Sequence, residues 1–146
     1  MVSYSPRQLE DMDRNEVTPG NPLLGGFLAD IFSKLPDDIT EWVYVGKNCC
    51  FIIAPDGENT KALHAARENL RPHIAILPCD FLKRLDRDRK DAVRTLLHEV
   101  AHGYLNHRGT VPPEVAEERD RQADSLADKW LESCEGQHDK IVSARL

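Results

Sequence analysis

No apolar run in this 146-residue chain approaches the 18 or so residues that a membrane-spanning helix requires. The N-terminal stretch MVSYSPRQLEDMDRNE lacks the basic-then-apolar order of a secretory signal, so a cytoplasmic protein is expected. Basic residues gather into no stripe, and the formal net charge is −6, which argues against direct nucleic-acid binding. Cysteine is scarce as well. Cys49, Cys50, Cys79 and Cys134 form no C-x-x-C pair, which excludes a cysteine-built zinc site and a disulfide framework and predicts buried or half-buried free thiols. Neither an internal repeat nor a low-complexity segment interrupts the chain.

Apolar residues make up 40% of the sequence and charged residues 30%, the balance of one folded domain with a modest core. Residues 1–22 are polar and proline-broken and read as a flexible leader. Residues 23–35 carry Leu23, Leu24, Phe27, Leu28, Ile31, Phe32 and Leu35 at helical spacing. The β-formers at 42–45 and 50–53, split by Gly46-Lys47-Asn48, predict a hairpin. A short helix is expected over 59–70, then a third strand at His73–Leu77, and a short helix over 81–86 capped by Asp80. Two long helices follow, about 87–106 and 113–134, with a weakly patterned tail at 135–146. A three-stranded sheet packed on helices gives an α+β domain spanning 23–134.

The most informative stretch is His98-Glu99-Val100-Ala101-His102. Residues four apart share one helix face, so two imidazoles can reach one metal ion. Glu99 stands one position round from the first histidine, where it can reach a water without binding the metal. Zinc lowers the pKa of such a water toward about 7, and a carboxylate then takes its proton as the water attacks a carbonyl. The surroundings agree. Ala92, Val93, Leu96, Leu97, Val100, Ala101, Tyr104 and Leu105 form an apolar stripe, while Thr95, His98, Glu99, His102 and Asn106 occupy the other flank.

A catalytic zinc site needs a third protein ligand. His107 would lie about half a turn from His98 if the helix continued. In the second helix, the series 116, 120, 123, 127, 130, 134 places Asp120 on an otherwise apolar stripe, where a carboxylate needs a partner. Glu117, one turn earlier, is the alternative ligand. Asp124 lies on the same side as Asp120 and is placed to accept a hydrogen bond from a ligand histidine. Tyr104 reads as core. His64, His73 and Arg121 are unplaced candidates for stabilising an oxyanion.

TLLHEVAHGYLNH followed by DRQADSLADKW resembles the small gluzincin-type zinc peptidases of the ImmA/IrrE family. The resemblance spans about residues 40–132. In that family the third zinc ligand lies three residues before the alanine of the second motif. Ala123 brings Asp120 to that position, with aspartate in place of the usual glutamate and Gln122 in place of a frequent acidic residue. The shorter arm demands closer approach of the second helix. The resemblance implies a minimal zincin-type fold and a free-standing zinc endopeptidase of phage or mobile-element type. Its substrate would be a polypeptide such as a repressor or antitoxin-like regulator. It also implies that the strand His73, Ile74, Ala75, Ile76, Leu77 is an edge strand lining the substrate cleft. The competing expectation is a non-catalytic protein-binding module on the same scaffold.

Overall fold

The computed structural model describes residues 4–54, 73–107 and 111–145, with side chains of the last helix described to residue 133. The element order is α1 (Pro6–Asp13), α2 (Pro22–Phe32), α3 (Asp37–Tyr44), β1 (Cys49–Ile53), β2 (His73–Leu77), α4 (Phe81–Arg87), α5 (Arg89–Tyr104) and α6 (Pro113–Arg145). Helices and a small sheet make this a mixed α/β molecule, compatible with α+β. No helix among the described residues is long and apolar enough to cross a membrane. The helix expected over 59–70, and His64 with it, lie outside the described residues.

The sheet differs from the one expected. Among the described residues it has two strands rather than three, and they run parallel, with Cys49 opposite His73 and Ile53 opposite Leu77. The expected first strand is helix α3. Its β-branched and aromatic residues favour strands only weakly. Pro36 precedes it and Asp37 and Asp38 occupy its first turn, where carboxylates favour the helix dipole. Buried Ile39, Thr40, Val43 and Tyr44 then fall at helical spacing. The turn after α3 needs Gly46, because a Cβ there would come within 2.3 Å of Asn48 Nδ2 and 3.1 Å of the Trp42 carbonyl oxygen.

Within the segment read as a leader, residues 4–22 include the helix α1. Ser5 and Gln8 form a reciprocal capping box that starts α1, with Pro6 in its first turn. Leu9 and Val17 are fully buried in the core. Asp13 caps the following loop by accepting from the Val17 and Thr18 amides at 2.9 and 3.1 Å. The Phe51 amide donates to the Val17 carbonyl at 2.8 Å, so this segment covers the outer edge of β1.

The core runs from α2 and α3 through the sheet to α5, where Ala92, Val93, Leu96, Leu97, Val100 and Ala101 are buried. Tyr104 and Leu105, expected in the same stripe, are each 38% exposed. Tyr104 stacks edge-on between Trp42 and Trp130, at ring separations of 5.4 and 5.6 Å. Helix α6 lies on α5 through Ala123, Ala127, Trp130 and Leu131. Its backbone continues as helix through the segment read as a tail. The α4 helix starts after Asp80 as expected, but the Asp80 side chain makes no capping bond. Of the described thiols, Cys49 is buried and Cys50 half-buried, while Cys79 is exposed, against expectation; the Cys134 side chain lies outside the described residues.

Candidate metal centre

Helix α5 is capped by Asp88, whose side chain accepts from the Asp91 amide, and its apolar stripe locks it between the sheet, α4 and α6. That rotation turns His98 and His102 toward α6. Their rings meet edge to face at 4.6 Å, with 25% and 14% of the side chains exposed. Asp120, 63% exposed, comes across from α6.

Three atoms converge. His102 Nε2 lies 3.0 Å from His98 Nε2 and 3.1 Å from Asp120 Oδ1, and His98 Nε2 lies 3.7 Å from the same oxygen. These separations average about 3.3 Å, the edge expected for a tetrahedron of ligands about 2.0–2.1 Å from zinc. Among the described residues, these three form the one His/Cys/Asp/Glu group able to hold a metal ion. Glu117, the alternative ligand, is exposed and stands outside this group.

The rear of each ring decides what the front can do. His98 Nδ1 donates to Asp124 Oδ1 at 2.9 Å, because an ionised carboxylate only accepts. A neutral His98 therefore presents a bare Nε2. Asp124 is held in turn by Arg94, whose Nη2 lies 3.8 Å from it and whose Nε donates to Asp128 Oδ1 at 2.9 Å. The Asp128 carboxyl is held below its ordinary pKa by that bond. Burial first, then the charge of His98, pushes the His102 imidazole below its ordinary pKa, which favours the neutral form that ligates metal.

His107 stands outside the converging group, as expected, but by a different backbone path. The helix does not continue to it. Asn106 adopts φ 58°, the His107 amide donates to the His102 carbonyl at 2.9 Å, and the Asn106 amide donates to the Gly103 carbonyl at 3.0 Å. This is a left-handed helix stop, for which asparagine is suited. It folds His107 back, so its Nδ1 lies 3.0 Å from His102 Nδ1, on the far side of that ring from the three converging atoms. Asparagine just past the apolar stripe was the available signal.

The other named residues take different places. His73, at the start of β2, has Nε2 3.0 Å from the Glu99 carbonyl oxygen. Its ring lies where Gly103 leaves room, since a Cβ at that glycine would come within 2.4 Å of His73 Cδ2. His73 therefore braces strand against helix instead of pointing a donor at the site. Arg121 pairs with Glu118 on the exposed face of α6. Glu99 lies close enough to His102 for its charge to act on that ring. Of the strand, Ala75, Ile76 and Leu77 are buried while His73 and Ile74 are half-buried. Comparison with protein-family models, with curated proteins and with solved structures returns no match.

Proposed function

We propose that this protein is a zinc-dependent endopeptidase, and the observation that carries the reading is the convergence of His98 Nε2, His102 Nε2 and Asp120 Oδ1. Two imidazole nitrogens and one carboxylate oxygen are a donor set suited to zinc. With a proton on each Nδ1, all three converging atoms are acceptors, and a cation relieves their mutual repulsion. Bound zinc supplies Lewis acidity, polarising a scissile carbonyl and bringing a water into the range of a carboxylate base.

The chain's own residues supply the rest. Asp124 and Arg94 fix the His98 ring. Glu99 accepts the proton of the attacking water and later delivers it to the leaving amine. The parallel pairing of β2 with β1 uses the backbone groups of His73 and Leu77, so those of Ile74 and Ile76 face the opposite edge. An extended substrate segment adds there by main-chain pairing. The resemblance to ImmA/IrrE-type peptidases supports a regulatory polypeptide, such as a repressor or antitoxin-like protein, as the substrate.

The deciding experiment compares wild type with Glu99→Gln on a regulator encoded nearby. The variant keeps shape and zinc and is expected to lose hydrolysis by a factor on the order of a hundred or more. The exposure and short arm of Asp120 favour a second reading, a binding module that uses metal for stability alone. Equal action of both proteins on the partner, binding without cutting, would establish that reading instead.

A further inference from the structure

We propose that His107 and Gln122 form a hydrogen-bond relay that fixes the proton of His102 on Nδ1 and thereby leaves its Nε2 free for metal. The inference rests on the metal-site reading above and assigns two positioning residues to it. The relay starts from the left-handed stop of α5, which brings His107 Nδ1 to 3.0 Å from His102 Nδ1. Two facing ring nitrogens at this distance admit one proton between them, so one ring donates and the other accepts. The choice is made at the far end. His107 Nε2 lies 3.0 Å from Gln122 Oε1, an amide oxygen that only accepts. In this orientation of the Gln122 amide, with its oxygen rather than its NH2 group facing the ring, His107 carries its proton on Nε2 and its Nδ1 is bare. His102 must then donate from Nδ1, and its Nε2 lone pair points at His98 Nε2 and Asp120 Oδ1.

The reverse arrangement would place a proton on His102 Nε2, in the space a cation would take. The two ligand histidines are thus oriented by different means. His98 is held by a carboxylate, and His102 by a second histidine that itself faces an amide. Gln122 lies two residues from Asp120 on α6, so the helix that brings the third ligand also brings the group that directs the second. Outer partners of this kind commonly change metal affinity by about 10–100-fold.

The test measures zinc affinity of the full chain by competition with a chromophoric chelator. His107→Ala is expected to weaken zinc binding by about 10–100-fold, and Gln122→Met, which keeps length without an acceptor, by about tenfold. Gln122→Glu, which can only accept, is expected to bind as tightly as wild type or tighter. In a His107→Ala background, Gln122→Met is expected to have no further effect, whereas a packing or charge effect at this exposed position would persist. Histidine 15N spectra of the zinc-loaded protein should show His107 protonated on Nε2. Wild-type affinity in both single variants, a persisting Gln122→Met effect in the double variant, or His107 protonated on Nδ1 would each overturn the relay while leaving the metal site standing. Absence of zinc binding by wild type would overturn the metal reading and the relay with it.

Discussion

Helix α5 presents two of the converging atoms and helix α6 the third, and the two helices hold them in different ways. On α5, six residues of the opposite face are buried, and the helix touches the sheet, α4 and α6. Its two histidines are 25% and 14% exposed and are each held from behind. On α6, the docking surface comprises Ala123, Ala127, Trp130 and Leu131, and Asp120 stands 63% exposed before it begins. Two of the three groups are therefore built into the core, and the third is brought by a helix docked through two alanines, a tryptophan and a leucine. The lesson is that the two histidines are set by the core packing of α5, while their distance to Asp120 is set by how α6 docks. Two fully buried alanines, Ala123 and Ala127, lie where α6 meets α5, and the short Asp120 side chain comes within 3.1 Å of His102 Nε2.

The largest effect is expected on α5. The double variant His98→Ala/His102→Ala should retain no zinc after mild dialysis, where wild type retains close to one ion per chain. Equal zinc in both would remove the site. Next comes the α6 ligand. Asp120→Ala should weaken zinc binding by more than the roughly 10–100-fold that follows loss of an outer partner. Glu117→Ala should leave it unchanged, and Asp120→Glu should keep zinc. If Glu117→Ala abolishes binding while Asp120→Ala does not, α6 is displaced by a turn.

Distance is tested at the helix crossing. Ala127→Leu inserts bulk where none of the side chain is exposed and should cost about 1–3 kcal/mol of stability while weakening zinc binding. Ser125→Leu, on the exposed face of the same helix, should do neither. The brace between β2 and α5 makes a sign prediction. Gly103→Ala should destabilise, because its Cβ meets the His73 ring. In a His73→Ala background the same substitution should stabilise by up to about 1 kcal/mol, the usual helix preference for alanine over glycine. Denaturant midpoints read both. Smallest of all is Tyr44→Phe, away from both helices. The Tyr44 hydroxyl is buried without a hydrogen-bond partner among the described residues, and burial raises its pKa. Its removal should leave the midpoint unchanged or slightly higher.

The parts legible in the sequence were those with a long period. Both site helices showed an apolar stripe over several turns, and Asp120 fell within one of them. Short elements misled. In α3, Trp42, Val43, Tyr44 and Val45 invited a strand, although the proline and paired aspartates before them mark a helix start. In α1, the Ser5–Gln8 capping signal was present, but only Leu9 and Met12 marked an apolar face and the neighbouring prolines suggested a loop. The place of His107 behind the His102 ring was not legible, because angular spacing assumes an unbroken helix. A backbone reversal can return a residue that the helical wheel sends away. The parallel strand order could not be read locally, because it depends on a crossover between segments 20 residues apart.

Asn106 carries a consequence beyond ending α5. A positive φ is tolerated by asparagine and glycine and resisted by β-branched residues. The side of the His102 ring that bears hydrogen thus depends, in the proposed relay, on the backbone conformation of one residue, Asn106. Replacing Asn106 by valine would leave every converging atom chemically intact while unwinding the stop that brings His107 home. Backbone chirality, expressed at a single Cα, sets where a proton sits.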